Sequence, residues 1–245
     1  MPGVRSGPRN FLRLFLIKRL LTRKSNAATL DAGCGDGSLS IYLARKGYAV
    51  YAVEEDRVSC EILKMRSSAS GLKDAIQILC SSLENLDFPQ GYFDIIVCGE
   101  VLEHLENHLE VLKKFSGYLK NDGSLIISVP LKSKGWDVWD NYSGHRRLYD
   151  FYELNGLLKK AGFSIEKYFV WGWPFVKIYH KLIFLPWAKK AKGEEEIRQE
   201  RLMITRIGKN YLISVILGLI FFIDILFTPP AKAMGIVLKA RPTFP

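Results

Sequence analysis

Cysteine and histidine are scarce in this chain, four of each in 245 residues. Cys34, Cys60, Cys80 and Cys98 are widely spaced, with no Cys-x-x-Cys pair and no cluster of histidines. That pattern argues against a zinc site or a disulfide framework and fits a reducing cytoplasm. Internal repeats and low-complexity tracts are absent. The first twenty residues lack the uninterrupted apolar stretch of a secretory signal, because Arg13, Lys18 and Arg19 break it. A bilayer-length apolar run is missing too. Tyr211–Phe227 comes nearest, interrupted only by Ser214 and Asp224, but as a helix it spans about 26 Å, short of the hydrocarbon core. A single crossing there also fails on topology, since a strand after it must rejoin a sheet formed before it. Pro174–Trp187 contains Lys177, His180 and Lys181 and is too polar to cross back.

Acidic residues are absent from the basic N-terminus and outnumbered in a second basic stretch. Residues 1–24 hold seven Lys/Arg and no acid, and residues 174–209 carry a net +5, whereas residues 25–173 are mildly acidic within a total of +10. A nucleic-acid enzyme spreads positive charge over its active face, so no nucleic-acid partner is expected. The basic flanks read as appendages on an ordinary core. Residues 10–24 have the pattern of a basic amphipathic helix, with Asn10 placed to cap it.

Strands and helices then alternate. Apolar runs at 27–31, 48–53, 76–79, 93–98, 124–129 and 163–170 are separated by helical stretches at 37–46, 56–68, about 106–119 and 149–161. This is the signature of a doubly wound α/β fold with a mostly parallel sheet covered on both faces. A last strand, 235–240, follows a long insertion. The organisation expected is a basic N-terminal helix (1–25), a core (26–173), a hydrophobic and basic helical insertion (174–232), and a last strand with its tail (233–245).

Where the first strand meets the first core helix the chain reads Asp31-Ala32-Gly33-Cys34-Gly35-Asp36-Gly37. Alternate glycines let the backbone turn sharply and approach a ligand closely. The spacing is GxGxG rather than the GxGxxG of a dinucleotide fold. The loop also opens with a carboxylate, which suits a ligand bearing an ammonium better than a pyrophosphate. The second strand ends at Glu54, where an acid can accept hydrogen bonds from ribose hydroxyls.

DAGCGDGSLS resembles motif I of the class I S-adenosylmethionine (SAM)-dependent methyltransferases, and the likeness extends in order over about residues 29–130. The resemblance implies a Rossmann-like sheet of seven strands, the last antiparallel, and SAM as cofactor. It implies that Asp31, Gly33 and Gly35 meet the methionine part of SAM, that Cys34 packs beside it, and that Glu54 holds the ribose. Family members usually place an acid near Ser82 for the adenine amino group. Ser81-Ser82 stand here instead, leaving a serine hydroxyl, the Leu83 amide and apolar packing for adenine.

The acceptor side follows strand four. In Glu100-Val101-Leu102-Glu103-His104 the charged residues fall at i, i+3 and i+4, sharing one face if the segment is helical. Such a face can bind a divalent metal, hold a histidine base, or only shape the pocket floor. The spacing resembles the E-x-x-E-H of ubiquinone-pathway O-methyltransferases, where it can hold a metal. A metal-free site is expected here, with Glu100 touching the cofactor and His104 lining the site. Beyond strand five lie Trp136, His145, Arg146, Arg147 and Tyr149. His145 is placed to act as base or to orient the acceptor. Trp136, Tyr149 and the two arginines are placed to contact it, the arginines through a carboxylate or phosphate or else lying solvated.

The expected function is methyl transfer to a small-molecule acceptor, with a lipid-like or quinone-like one suggested by the basic flanks, the hydrophobic helix 211–227, and Trp171, Trp173 and Trp187. That helix is either buried against the core or dips into a membrane interface, which would place a cytoplasmic protein at the inner face of the membrane. A SAM-binding protein without catalysis and a nicotinamide-dependent oxidoreductase are the alternatives.

Overall fold

The structure, a computed structural model, describes residues 8–22, 25–186 and 211–243. Trp187 and the basic stretch around it lie outside the described residues, as do residues 1–7. Seven strands form one sheet: β1 (Ala28–Ala32), β2 (Ala49–Glu54), β3 (Ile76–Cys80), β4 (Phe93–Gly99), β5 (Leu119–Pro130), β6 (Phe163–Trp171) and β7 (Gly235–Pro242). Their spatial order is β3-β2-β1-β4-β5-β7-β6. All pairings are parallel except those of β7, which runs antiparallel between β5 and β6. The expected doubly wound sheet with its reversed last strand is present.

Period-two alternation along the strands divides the core into two layers. In β4, Ile96 and Cys98 join the layer that includes Val111, Leu112 and Phe115 of α4 (His108–Tyr118) and Leu154 and Leu158 of α6 (Phe151–Lys160). Ile95 and Val97 point into the other layer, beneath α1 (Pro8–Leu20), α2 (Ser38–Arg45) and α3 (Arg57–Ala69). Buried on both faces, the central strands need no polar alternation. Local chemistry sets the helix starts. Asp56 accepts from the Ser59 amide at α3, and Asp150 with Glu153 forms a reciprocal capping box at α6.

Two elements differ from expectation. The N-terminal helix begins at Pro8, so Asn10 lies inside it, and the helix packs on the sheet rather than standing apart. Leu12, Leu16, Ile17 and Leu20 are buried, each worth about 1.5–3 kcal/mol of transfer energy. An apolar stripe suits a sheet as well as a bilayer, and here the sheet takes it. Residues 100–104 are not helical. Glu100 adopts φ 59° and its amide donates to Ser128 O at 2.9 Å, turning the chain before α4 begins.

The insertion forms α7 (Phe175–Tyr179), continued as a wider π turn over His180–Phe184, and α8 (Tyr211–Phe227). A short α5 (Val138–Tyr142) lies between β5 and α6. α8 packs on α1, with Phe222 edge-on to Phe15 at 4.3 Å between ring centres. Its one acid, Asp224, is buried and accepts from the backbone amides of Phe175 and Val176 at 3.0 and 2.8 Å, fixing the start of α7. Outward, α8 shows Ile216, Leu219, Ile223, Leu226 and Phe227. No described helix is long and apolar enough to cross a membrane.

Candidate active site

The strand order reverses between β1 and β4, so their carboxyl ends open a crevice. Asp31 to Ser38 turn across it. Gly33, Gly35 and Gly37 have φ of 72°, 54° and 76°, a region that side chains disfavour. A Cβ on Gly33 would meet Val101 and one on Gly37 would meet Leu63, whereas Gly35 faces open space. Glu54, at the tip of β2, accepts from the Gly35 amide at 2.8 Å and from the amides of Glu55 and Asp56. Its carboxylate is thereby fixed with lone pairs to spare.

Asp31 is buried and accepts from Ser40 Oγ at 2.5 Å. Burial pushes its carboxyl up to about 6, against the Ser40 hydrogen bond. The cavity above it is roofed by α1 through Asn10, Arg13, Leu14 and Ile17 and floored by Gly33, Gly35 and Gly99. Arg13 reaches in from α1, hydrogen-bonded by Asn10 and 3.7 Å from Glu100. Buried Arg13 Nε and Glu100 Oε1 have no hydrogen-bond partner. A cavity presenting a buried carboxylate, a guanidinium with an unused donor and an open glycine turn suits a zwitterionic amino acid joined to a nucleoside, which is the composition of SAM. On the sheet's far side Ser82 and Leu83 open the turn after β3; Leu83 is buried and Ser82 half-buried.

A second polar centre lies beyond Glu100. His145 Nδ1 is 2.7 Å from Asp140 Oδ1, and Asp140 is held by Lys134 at 2.5 Å. Lys134 also meets Asp137 at 3.2 Å, and Asp137 pairs with His180 Nε2 at 2.8 Å, whose Nδ1 faces Arg9 of α1. Burial would raise both carboxyls, but hydrogen bonds from His145 and His180, together with Lys134, hold Asp140 and Asp137 below the usual carboxylate range. His145 Nε2 stands 4.0 Å from Glu103 Oε1. Glu103 is fully buried, lacks a hydrogen-bond partner at either oxygen, and is pushed up to about 8 by burial. His104 lies edge-on to His145, ring centres 4.8 Å apart, and its Nδ1 is 3.4 Å from Gly144 O.

Of the acceptor-side residues expected from sequence, the fold brings Glu103, His104 and His145 together. Their ligand atoms lie within 4.8 Å of one another, a spacing that can hold a metal. Glu100 departs from that set because its left-handed turn sends it to Arg13. Tyr149 is buried: its hydroxyl donates to Leu102 O at 3.1 Å and meets His108 Nδ1 at 2.7 Å. Arg146 and Arg147 point outward beside Glu106, and Trp136 is half exposed with its indole N–H on Asn141. Arg13, Lys134 and Asp140 escaped the sequence reading. The only trace of Asp140 was its place five residues before His145 on a loop following a strand.

A family model described as a methyltransferase domain matches residues 9–168. The chain belongs to the class I SAM-dependent methyltransferases. A ubiquinone biosynthesis O-methyltransferase of Rickettsia felis is 32% identical over 110 residues, covering 45% of this chain. The matched stretch spans 44% of that relative, less than half its length. Among solved structures, the [4+2]-cyclase SpnF superposes with a TM-score of 0.66 at 18% identity, covering 99% of this chain and 85% of its own. An S-adenosylmethionine-dependent methyltransferase from Mesorhizobium loti gives 0.63 at 16% identity, covering 96% of this chain and all of its own. At these identities the superpositions establish the methyltransferase fold.

Proposed function

We propose that this methyltransferase moves a methyl group from SAM to a hydroxyl of a small-molecule acceptor, quinone-like or lipid-like. The observation that carries the reading is the Asp140–His145 pair, 2.7 Å apart and beside His104, on the segments that follow the carboxyl ends of β4 and β5. When bound, SAM supplies an electrophilic methyl on a sulfonium. Asp31 faces the ammonium of its amino-acid end, Arg13 pairs with the carboxylate, and Gly33 and Gly35 bring backbone close with Cys34 packed alongside. Glu54 accepts from the ribose hydroxyls, and Ser82 and the Leu83 amide border the adenine. Glu100 holds Arg13 in place. Asp140 fixes the proton of His145 on Nδ1, which leaves Nε2 bare to take the acceptor's proton. Burial first, and His145 second, lower His104 below the ordinary histidine range. His104 is thus neutral near pH 7 and lines the pocket as a hydrogen-bonding wall. Trp136, Arg146 and Arg147 form its outer rim. Alignment of the two reacting atoms supplies much of the rate in such a transfer.

The relative's printed role in ubiquinone biosynthesis supports a quinol-type acceptor. The exposed apolar stripe of α8, with Phe175, Ile178, Leu182 and Ile183 of the neighbouring turn, supports a chain that draws this acceptor from a membrane surface. Methyl-tritiated SAM incubated with a prenylated catechol should leave label in the chloroform phase. Asp140→Asn should cut kcat by roughly 100-fold while S-adenosylhomocysteine still binds. Label only in the aqueous phase of a cell extract would redirect the acceptor to water-soluble compounds. Binding without label in any fraction would return the non-catalytic alternative.

A further inference from the structure

Two of the four cysteines, far apart in sequence, meet beside Glu54. Cys60 sits in the first turn of α3 and is buried; Cys80 ends β3 and is exposed. Their Sγ atoms are 2.8 Å apart. Both flank the same residue. Cys60 Sγ donates to Glu54 O at 3.3 Å, Cys80 is the register partner of Glu54 across the β2–β3 ladder, and the next residue, Ser81, donates its amide to that same carbonyl at 3.0 Å.

We propose that Cys60 and Cys80 are an oxidation site: a dithiol that a peroxide closes to a disulfide, weakening the adenosine half of the cofactor site. The second half of the proposal rests on the reading of Glu54 as the ribose carboxylate. The thiolate of Cys80, the accessible member, attacks one peroxide oxygen, giving a Cys80 sulfenic acid and hydroxide, which takes up a proton. Cys60 sulfur then attacks Cys80 sulfur. The S–S bond forms, the sulfenic hydroxyl leaves with the Cys60 proton as a second water, and two thiols have been oxidised by one peroxide. A disulfide bond is about 2.05 Å long, so the sulfurs close by less than about 1 Å. The remaining cysteines do not compete: Cys98 is buried, Cys34 is partly buried, and desolvation raises both thiols far above the ordinary range. Burial, followed by the contact with Cys80, likewise pushes Cys60 up to about 12, leaving Cys80 to meet the oxidant first.

The disulfide carries no S–H, so the Glu54 carbonyl loses the Cys60 donor. The new bond also ties the first turn of α3 to the end of β3, from which the Ser81-Ser82 turn continues. Binding and oxidation are therefore coupled, and the coupling is reciprocal at equilibrium: cofactor bound at Glu54 shifts the pair towards the dithiol.

The test treats the reduced full chain with one equivalent of hydrogen peroxide, reads intact mass and free thiols, and measures S-adenosylhomocysteine affinity by calorimetry before, after, and after re-reduction. The expected result is a mass loss of about 2 Da and thiols falling from four to two. A Cys60–Cys80 cross-linked peptide appears, with an affinity loss of at least about threefold that thiol reductant restores. Cys80→Ser should keep its mass and its affinity under the same treatment. Four surviving thiols, oxygen adducts without a cross-link, or a disulfide that leaves affinity unchanged would each overturn the proposal. Failure of the reduced protein to bind S-adenosylhomocysteine would instead overturn the cofactor reading, and the thiol pair would be judged on the cross-link alone.

Discussion

Asp31 shows how one buried carboxyl sets a working range. Its folded value of about 6 lies above the ordinary 3.8 because burial disfavours the charge. An acid raised on folding costs stability as pH climbs from the unfolded to the folded value, since the unfolded chain gives up its proton first. On the proposed role of Asp31, ligand binding works the other way, because an ammonium beside it favours the carboxylate. Below pH 6 the free protein must release a proton to bind. S-adenosylhomocysteine affinity should therefore fall by up to about tenfold per pH unit, and Asp31→Asn should bind weakly but without that slope. Calorimetry between pH 5 and 8 checks this, and a flat wild-type profile would refute it. Asp31 and the glycines could be singled out as a candidate turn because such a turn writes its chemistry into consecutive residues, and Glu54 because it ends the next strand. Arg13 could not, since nothing local distinguishes an arginine that points into a cavity from one in solvent.

At the scale of elements, the loop after β5 is held by Lys134, whose ammonium lies between Asp137 and Asp140 with a side chain only 5% exposed. Removing the cation takes one partner from the buried Asp140 and the part-buried Asp137, which keep His145, His180 and backbone amides, so Lys134→Met should destabilise the fold by about 1–3 kcal/mol at pH 7. Both carboxyls sit below their ordinary value, so this stabilisation is present above about pH 4 and lost as pH falls through the lowered values. Urea melts at pH 7 and pH 3.5 should show the variant's deficit shrinking, and an equal deficit at both would count against the account. Strands and core helices could be read to within a few residues, because burial on both faces imposes long apolar runs. The segment 100–107 could not. Its i, i+3, i+4 spacing suits a helix, but Glu100's left-handed turn and its bond to Ser128 are consequences of the β4–β5 pairing. The helix expected to open at Tyr149 begins two residues later, behind Asp150.

Across the whole molecule, α1 lies between α8 and the sheet, with Phe11 against Gly218 on one side and Arg13 lining the cavity above Asp31 on the other. A surface that engaged α8 would thus sit one helix away from the site. The chain should co-sediment with anionic phosphatidylglycerol vesicles and lose most of that binding when Leu219, Ile223 and Leu226 are changed to serine, with S-adenosylhomocysteine affinity retained. Wild-type protein left wholly in the supernatant would exclude the docking role.

The place of β7 carries a consequence for biosynthesis. It enters between β5 and β6, strands made well before it, with the whole insertion translated in the interval. At ordinary elongation speeds of about 5–20 residues per second, the nascent chain spends several seconds with the edge of β5 bare and β6 without a neighbour. Open edges of that kind recruit other strands. The period of greatest aggregation risk therefore falls on the ribosome, and it ends only when β7 emerges and takes its place.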